Sequence, residues 1–367
     1  MKISIITTAK IPHIGGMSTH IQNIHKYLID NGIDVKLLCV NGSDNTKSGG
    51  AQKHSKFIYL ISILYKLLIS LFLNIKSKAD VNIYHDPFSI FFNLVNSKPS
   101  ILYVHGELAN ECVALGLCTK DDLFFNIMIS IERFAYSRAD MIICVDDRLR
   151  DHTMGLGFKA LSMPNFVKID SGLNIKKQIS CQVFKIVIAR RLVEKNGVFY
   201  ALEALKDLSS FDNVKFKCDI FGGGEYFASL KSNYESKNII FHGDTDNKIV
   251  RGYLRNANIA LIPSIPVGDY VEATSISALE AAAESAIVVA SNVGGLKQLF
   301  SNSDAALLVE PKSSKAILNA ILNLFENNKL RLEISRNGYN LIQQNYSIDL
   351  YADNLLSIID GLLNKNS

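Results

Sequence analysis

Three short stretches in the last third of the chain leave little choice of architecture. Ile259-Ala-Leu-Ile-Pro263 is an apolar run of strand length that stops at a proline. Ser275 to Ser285 carries Ile276, Leu279 and Ala283 on one helical face. Ile287-Val-Val-Ala290 is a second buried-strand run. Run, helix, run is a βαβ unit, and its strands must lie parallel. Between the first strand and the helix stands Glu272-Ala-Thr-Ser-Ile-Ser-Ala-Leu-Glu280, with a glutamate at each end. A loop feeding a helix N-terminus offers unpaired N–H groups and the positive end of the helix dipole, which suits a phosphate. Glu280, about one turn into the helix, would face hydroxyls on one side of that phosphate, and Glu272 those on the other. A nucleotide sugar has this layout: ribose, diphosphate, sugar. These residues alone leave a second reading open, in which Ser277-Ala-Leu-Glu280 is a capping box and Glu272 a surface loop residue.

The same alternation runs through the whole chain. Lys2 to Thr7 reads as a strand, followed by a loop with Pro12 and Gly15-Gly16. Ser18 or Thr19 is placed to cap a helix to about Asn31, with Ile21, Ile24 and Leu28 inward and Gly32 as its stop. Val35 to Val40 is the next strand. This is the start of a Rossmann-like half, without the G-x-G-x-x-G of a dinucleotide site. Gly16 either lets an anion approach the backbone or simply makes the turn. Val81 to Tyr84 and Ile101 to Val104 are strands ending at His85-Asp86 and His105-Gly106. Ligands in open α/β sheets bind outside such carboxyl ends. His105 is well placed for that, whereas His85 reads equally well as a solvated loop residue. Asp121 to Ser137 is a helix, Met141 to Val145 a strand, and Leu161 to Asn165 closes this half.

Polar Lys168 to Gln182 reads as a linker. A second half follows: strand Phe184 to Ala189, then Arg190-Arg191-Leu-Val-Glu-Lys195-Asn-Gly197, then helix Val198 to Leu208. Cations at a strand's carboxyl end point to an anion, or to a solvated basic loop. Strands Cys218 to Phe221, ending in Gly222-Gly-Gly224, and Ile239 to Gly243 lead to the βαβ unit, and helices run from Lys315 to Asn364. The expected fold class is α/β, with two doubly wound sheets facing each other across a cleft. The expected domains are 1–168 and 169–345, with a helix at 346–367 free to cross back to the first.

Composition excludes little else. The net charge of +4 is too weak to argue for nucleic acid. Six cysteines are scattered, from Cys39 to Cys218 and including Cys181, with no C-x-x-C and no zinc spacing, so a reduced, cytoplasmic protein is expected. Up to Ser100 there are eleven Lys, five Asp and no Glu or Arg. Within that region Phe57 to Ile75 is just long enough to span a bilayer, but Lys66 at its centre opposes spanning. Lys53, His54, Lys56, Lys76 and Lys78 flank it. The expectation is a surface helix in contact with an anionic membrane, with a buried core helix as the alternative.

In their order and spacing these segments resemble glycosyltransferase family 4, the retaining nucleotide-sugar enzymes of the GT-B fold found in bacterial polysaccharide biosynthesis. The resemblance rests on Pro12-His-Ile-Gly-Gly16, His105-Gly106, Ala139-Asp140 with Val145, Pro164-Asn165, Arg191-Leu-Val-Glu-Lys195-Asn-Gly197, Phe221 to Gly224, Pro263-Ser264, Glu272 to Glu280 and Val293-Gly-Gly295. It implies that Glu280 holds the ribose and Glu272 the donor sugar, helped by the backbone of Ala273, Thr274 and Ser275. It implies that Arg191 and Lys195 carry the leaving diphosphate, that Gly16 approaches it and that His105 lies near the reacting carbon. No metal or other cofactor is implied, and Asp244-Thr-Asp246 reads as a loop and helix start. The implied partners are a UDP- or GDP-linked donor and a lipid-linked glycan acceptor at the inner face of the cytoplasmic membrane. A nucleotide-sugar epimerase and a non-catalytic binding subunit are the competing readings. The chain departs from the usual pattern at Arg190, where a Gly is common, at Ala273, at Glu284-Ser-Ala-Ile287 and at Gln298.

Overall fold

The structure, a computed structural model, describes residues 1–12, 16–41, 56–95, 98–169, 183–268 and 271–365. His13 to Gly15, Lys53, His54 and Cys181 lie outside the described residues, as does the expected linker from Asp170 onward. The chain forms two compact units. One holds the residues up to Asn165 together with those from Ile348; the other holds Phe166–Ser347.

In the first unit the chain runs β1 (Lys2–Ile11), α1 (Gly16–Asp30), β2 (Asp34–Asn41), α2 (Lys56–Lys76), β3 (Val81–Tyr84), β4 (Ser100–Val104), α3 (Leu108–Ala114), α4 (Leu123–Ser137), β5 (Met141–Cys144), α5 (Asp147–Gly155) and β6 (Ala160–Ser162). Its six strands are all parallel, in the order β2-β1-β3-β4-β5-β6. The inner strands β3 and β4 are buried at every position, as the middle of a parallel sheet requires, while the edge strands β2 and β6 are partly exposed. The strand order reverses between β1 and β3, which opens a crevice at their carboxyl ends. Helix α1 begins at Gly16, two residues before the expected cap. Ser18 therefore sits inside the first turn, where its hydroxyl accepts from Gln22 Nε2 at 3.0 Å. Helices α3 and α5 are too short to stand out by periodicity, although Asp146 caps α5 through the Leu149 N–H at 2.7 Å.

Helix α2 is built inside out. Phe57, Leu64, Leu68, Phe72 and Ile75 are each more than half exposed, while Ser70 and Asn74 are buried. Both polar side chains donate to the Ser89 carbonyl at 2.9 Å, and the Tyr84 hydroxyl donates to Asn74 Oδ1 at 2.6 Å. The helix is thus seated through these polar contacts and through buried Ile63 and Leu73, while much of its apolar surface faces outward. By length and composition alone it could cross a bilayer.

The second unit runs β7 (Phe184–Ala189), α6 (Val198–Leu208), β8 (Phe216–Phe221), α7 (Phe227–Tyr234), β9 (Ile239–Gly243), α8 (Asn247–Asn256), β10 (Ile259–Ile262), α9 (Ile276–Ala283), β11 (Ile287–Ser291), α10 (Gly294–Phe300), β12 (Leu307–Val309), α11 (Ser314–Glu326) and α12 (Asn328–Asn345). The strands are again parallel, ordered β12-β11-β10-β7-β8-β9, and the reversal falls between β7 and β10. An aliphatic core lies on each face of this sheet. Phe166 and Val167 belong here, since Val167 pairs with Ser347. Helix α13 (Ile348–Lys365) then returns the chain to the first unit.

Candidate active site

In the second unit the loops after β7 and β10 meet at the reversal point. The β7 loop is a 3-10 turn, Glu194–Asn196, closed by Gly197 in the left-handed region at φ 60°. A Cβ at Gly197 would stand 2.0 Å from the Pro263 carbonyl, so only glycine lets the two loops touch. The Lys195 carbonyl accepts from Ile265 N–H at 2.9 Å and ties the loops together. The loop leading into α9 is pinned from its other side by Gly294 and Gly295. A Cβ on Gly294 would meet the Glu272 carbonyl at 2.3 Å, and the Gly295 N–H donates to that same carbonyl at 2.9 Å.

The side chains follow from this backbone. Glu272 accepts from Arg190 Nη2 at 2.5 Å through Oε1, and from the Ser264 hydroxyl through Oε2. Arg190 also donates to Ser264 Oγ at 2.7 Å and to Asn196 Oδ1 at 2.9 Å. Arg191 is exposed, and its side chain makes no ion pair among the described residues. Lys195 is half-buried. Thr274 and Ser275 are buried at the start of α9, where Ser275 is the N-cap residue but makes no side-chain cap bond. Ser277 lies inside the helix, so the capping-box reading of Ser277 and Glu280 does not hold. The Ser275 carbonyl accepts from the Ala278 and Leu279 N–H groups at 3.2 Å, and its hydroxyl adds no cap to the first turn.

Glu280 is buried, and its Oε1 accepts from Asn247 Nδ2 at 2.8 Å. Burial pushes its carboxyl up, Asn247 and the Arg251 charge pull it down, and Glu284 adds to the rise. Glu284 is itself paired with Arg251 and Arg255, at 2.6 and 2.8 Å. Asp246 caps α8 through the Lys248 N–H at 2.8 Å, and Asp244 accepts from the Gly223 N–H at 2.6 Å.

In the first unit the reversal point is furnished with rings. His85 Nδ1 and His105 Nε2 lie 3.0 Å apart, one donating to the other. His85 stacks on Tyr103, with centroids 4.8 Å apart. His20, from α1, bonds Asn165 Oδ1 at 2.9 Å and meets the Tyr351 hydroxyl of α13, which donates to Tyr103 at 2.8 Å. Burial lowers all three imidazoles, His20 to about 4 and the other two well below their usual value, so they are neutral at pH 7. Thr8, Tyr59, Lys66, His85, Asp86 and His105 line part of a cavity of about 190 Å³. Gly16 is exposed at the first residue of α1.

Residues 14–170 match the family model Glycosyltransferase Family 4, and residues 174–341 match Glycosyl transferases group 1. This chain belongs to glycosyltransferase family 4. An uncharacterized glycosyltransferase of Methanocaldococcus jannaschii is 23% identical over 99% of both chains. A Bacillus subtilis protein named for a glycosyltransferase role in teichuronic acid biosynthesis, TuaC, is 25% identical over 58% of this chain and 54% of its own. Among solved structures, sucrose-phosphate synthase from Thermosynechococcus elongatus has a TM-score of 0.78 at 14% identity, covering 100% of both chains. Anabaena HepE in complex with UDP has a TM-score of 0.70 at 14% identity, covering 98% of this chain and 100% of that one. The fold of this glycosyltransferase is GT-B.

The structure of the glycosyltransferase brings Glu272, Ala273, Thr274, Ser275 and Glu280 together around the start of α9, with Lys195 on the loop bonded to Ile265. Gly16 and His105 belong to the first unit. Arg190 counts in the sequence as one of the strand-end cations and as a departure from the family pattern, and it is the arginine that reaches Glu272. Other participants were missed from the sequence. Asn247 lacked any local signal. His85 is buried against His105 rather than solvated. His20 and Tyr351, which complete the ring cluster, stand 331 positions apart.

Proposed function

We propose that this glycosyltransferase is a retaining enzyme that moves a sugar from a UDP- or GDP-linked donor to a lipid-linked glycan of a bacterial surface polysaccharide. The observation that carries the donor reading is the placement of Glu272 and Glu280 on either side of the uncapped start of α9, beside a basic loop. Glu280 takes the ribose through the oxygen that Asn247 leaves open. Glu272 takes the sugar hydroxyls. The backbone of Ala273, Thr274 and Ser275, with Arg191 and Lys195, stabilises the diphosphate as its charge grows. Gly16 and His105 are the first unit's candidates for the donor and the reacting carbon, and burial holds His105 neutral. Retention follows if the leaving phosphate takes the acceptor proton on the face it departs from. HepE binds UDP in its solved complex, which supports a uridine donor. The fixed cations leave no electrostatic task for a metal.

A donor screen tests the core of this reading. Nucleotide diphosphate should be released from one donor class only when a glycan acceptor is present, and EDTA should leave the rate within a few-fold. Conversion of the sugar nucleotide without acceptor would make the enzyme an epimerase. Loss with EDTA, restored by magnesium or manganese, would move the charge-stabilising role to a metal.

The acceptor half of the proposal rests on α2. Its outward apolar side, with Lys56, Lys76 and Lys78 at its ends, fits the acyl boundary and headgroups of an anionic inner leaflet. The protein should sediment with anionic vesicles and less with neutral ones, and changing these lysines to Gln should weaken binding by roughly 1 kcal/mol each at low salt. Indifference to both vesicle types would point to a soluble acceptor.

A further inference from the structure

Arg190 stands at the end of β7, where the family pattern favours glycine, and its side chain is only 4% exposed. Burying a guanidinium is costly unless every charge around it is paired. Here the partners form a closed ring. Arg190 Nη2 bonds Glu272 Oε1 and Arg190 Nη1 bonds Ser264 Oγ; the Ser264 hydroxyl in turn donates to Glu272 Oε2. Asn196 holds the guanidinium from behind through Oδ1, and is itself fixed because its Nδ2 donates to the Arg191 carbonyl at 2.7 Å. Both oxygens of Glu272 are therefore oriented before any ligand arrives.

Two features separate this ring from a structural brace. The main chain at Glu272 is already held without it, by the Gly295 N–H on the Glu272 carbonyl and by the close approach of Gly294. Arg190 thus acts on the side chain of Glu272, not on the course of the loop. The ring is also imperfect as a stabiliser, because Arg190 Nε is buried without an acceptor among the described residues. A site shaped for stability alone is better served by apolar packing than by such an ion pair. Each carboxylate oxygen has two acceptor sites, so Glu272 keeps capacity for sugar hydroxyls while the ring holds its rotamer.

We infer that Arg190 is the positioning residue for Glu272, fixing the carboxylate that receives the hydroxyls of the donor sugar. This rests on the proposed sugar role of Glu272. Arginine suits the task because its planar fork meets two acceptors at a set angle, which a lysine ammonium does not.

The test uses the full chain with the donor found by the screen. Arg190→Gln should lower kcat/KM for the donor by about a hundredfold, mostly through KM, as for loss of a charged group that orients substrate. Binding of the nucleotide diphosphate alone, by calorimetry, should stay within about threefold, because the ring touches only the sugar side. Arg190→Lys should recover part of the loss, and Ser264→Ala, which opens the ring and leaves the charges, should cost about tenfold. Glu272→Gln should resemble Arg190→Gln, and the double variant should be no worse than Glu272→Gln alone, since residues acting as a unit are non-additive. If Glu272→Gln damages donor use while Arg190→Gln and Ser264→Ala are silent, or if the pair is additive, the positioning role is overturned. If Glu272→Gln is itself silent, the sugar role of Glu272 fails, and the proposed function must be revised first. Should Arg190→Gln not fold, Arg190→Lys and Ser264→Ala carry the test through the same KM and nucleotide-binding split.

Discussion

In the first unit the reversal of strand order, between β1 and β3, is lined by His85, His105 and Tyr103, with His20 behind them. In the second unit the equivalent gap, between β7 and β10, holds Arg190 and Glu272 inside and Arg191 at its edge. The topological position is the same and the electrostatics are opposite. Burial strips the imidazoles of charge and leaves donors and acceptors in a ring cluster. Asp86, the carboxylate beside them, is absorbed by the Thr7 and Thr8 hydroxyls and the Thr8, Phe88 and Ser89 N–H groups, which all donate to it. The second unit keeps its ions. Neutral rings of this kind can offer a hydroxyl both a donor and an acceptor. Cations at a strand end suit a leaving group whose charge grows during reaction, and Arg191 and Lys195 stand there beside the Arg190–Glu272 pair. Two similar sheets thus carry neutral rings at one reversal point and ions at the other by differing at a few strand-end residues.

The contrast breaks most visibly if the charges of the second unit are removed. Lys195→Ala should lower kcat by about a hundredfold or more while the fold persists, the scale of one lost electrostatic stabiliser. Turnover within a few-fold of the parent would show that the charge there is not used.

Dividing the two glutamates sharpens the comparison within the second unit. Glu280→Ala should weaken binding of the free nucleotide diphosphate by about tenfold or more, whereas Glu272→Ala should leave that binding nearly intact and impair use of the full donor. Calorimetry with nucleotide alone separates these outcomes; equal losses would show that ribose and sugar are not shared out in this way.

The smallest effects are on stability and differ in sign. A lowered imidazole contributes stability that is present above its unfolded pKa and is lost as pH falls through the folded one. For His20 that window runs from 6.5 down to about 4. The melting temperature of the first unit should therefore drop by a few degrees between pH 7 and 5.5, with the second unit less affected. Glu132 acts in reverse. Burial raises its carboxyl to about 8, so its stabilising effect is full below pH 4.5 and is lost as pH rises through about 8. Glu132→Gln should raise stability above pH 8 and change little at pH 5. Hydrogen exchange assigned to each unit reads both trends, and uniform pH dependence across the units would contradict the assignment.

The sequence made the sheets legible because parallel strands are buried on both faces and stand out as apolar runs. Ile259 to Ile262 and Val81 to Tyr84 are buried at every position. The glutamate pair was legible because both residues lie in one βαβ unit. The choice between Arg190 and Arg191 was not. Side chains alternate along a strand, so neighbouring residues at its end face opposite ways, and a one-residue shift of phase exchanges them. Ile186 and Ile188 pack into one core of the second unit and Val187 into the other, but nothing local says which side the next turn will favour. The neutral state of the histidines was hidden for another reason. It depends on burial by partners as remote as Tyr351, which no window of the sequence brings together.

Helix α13 carries a consequence for synthesis. It is made after the strands of the second unit, yet it belongs to the unit whose strands are made before them. Until α13 arrives, His20 and Tyr103 lack the Tyr351 hydroxyl, and α1 lacks the contact between Tyr27 and Asp349. The first unit must therefore wait, with its ring cluster uncovered, while the entire second unit is made and folds. A chain stopped short of residue 348 would hold a complete charged half and an unfinished neutral one. The ring cluster is complete only on chains translated past Tyr351.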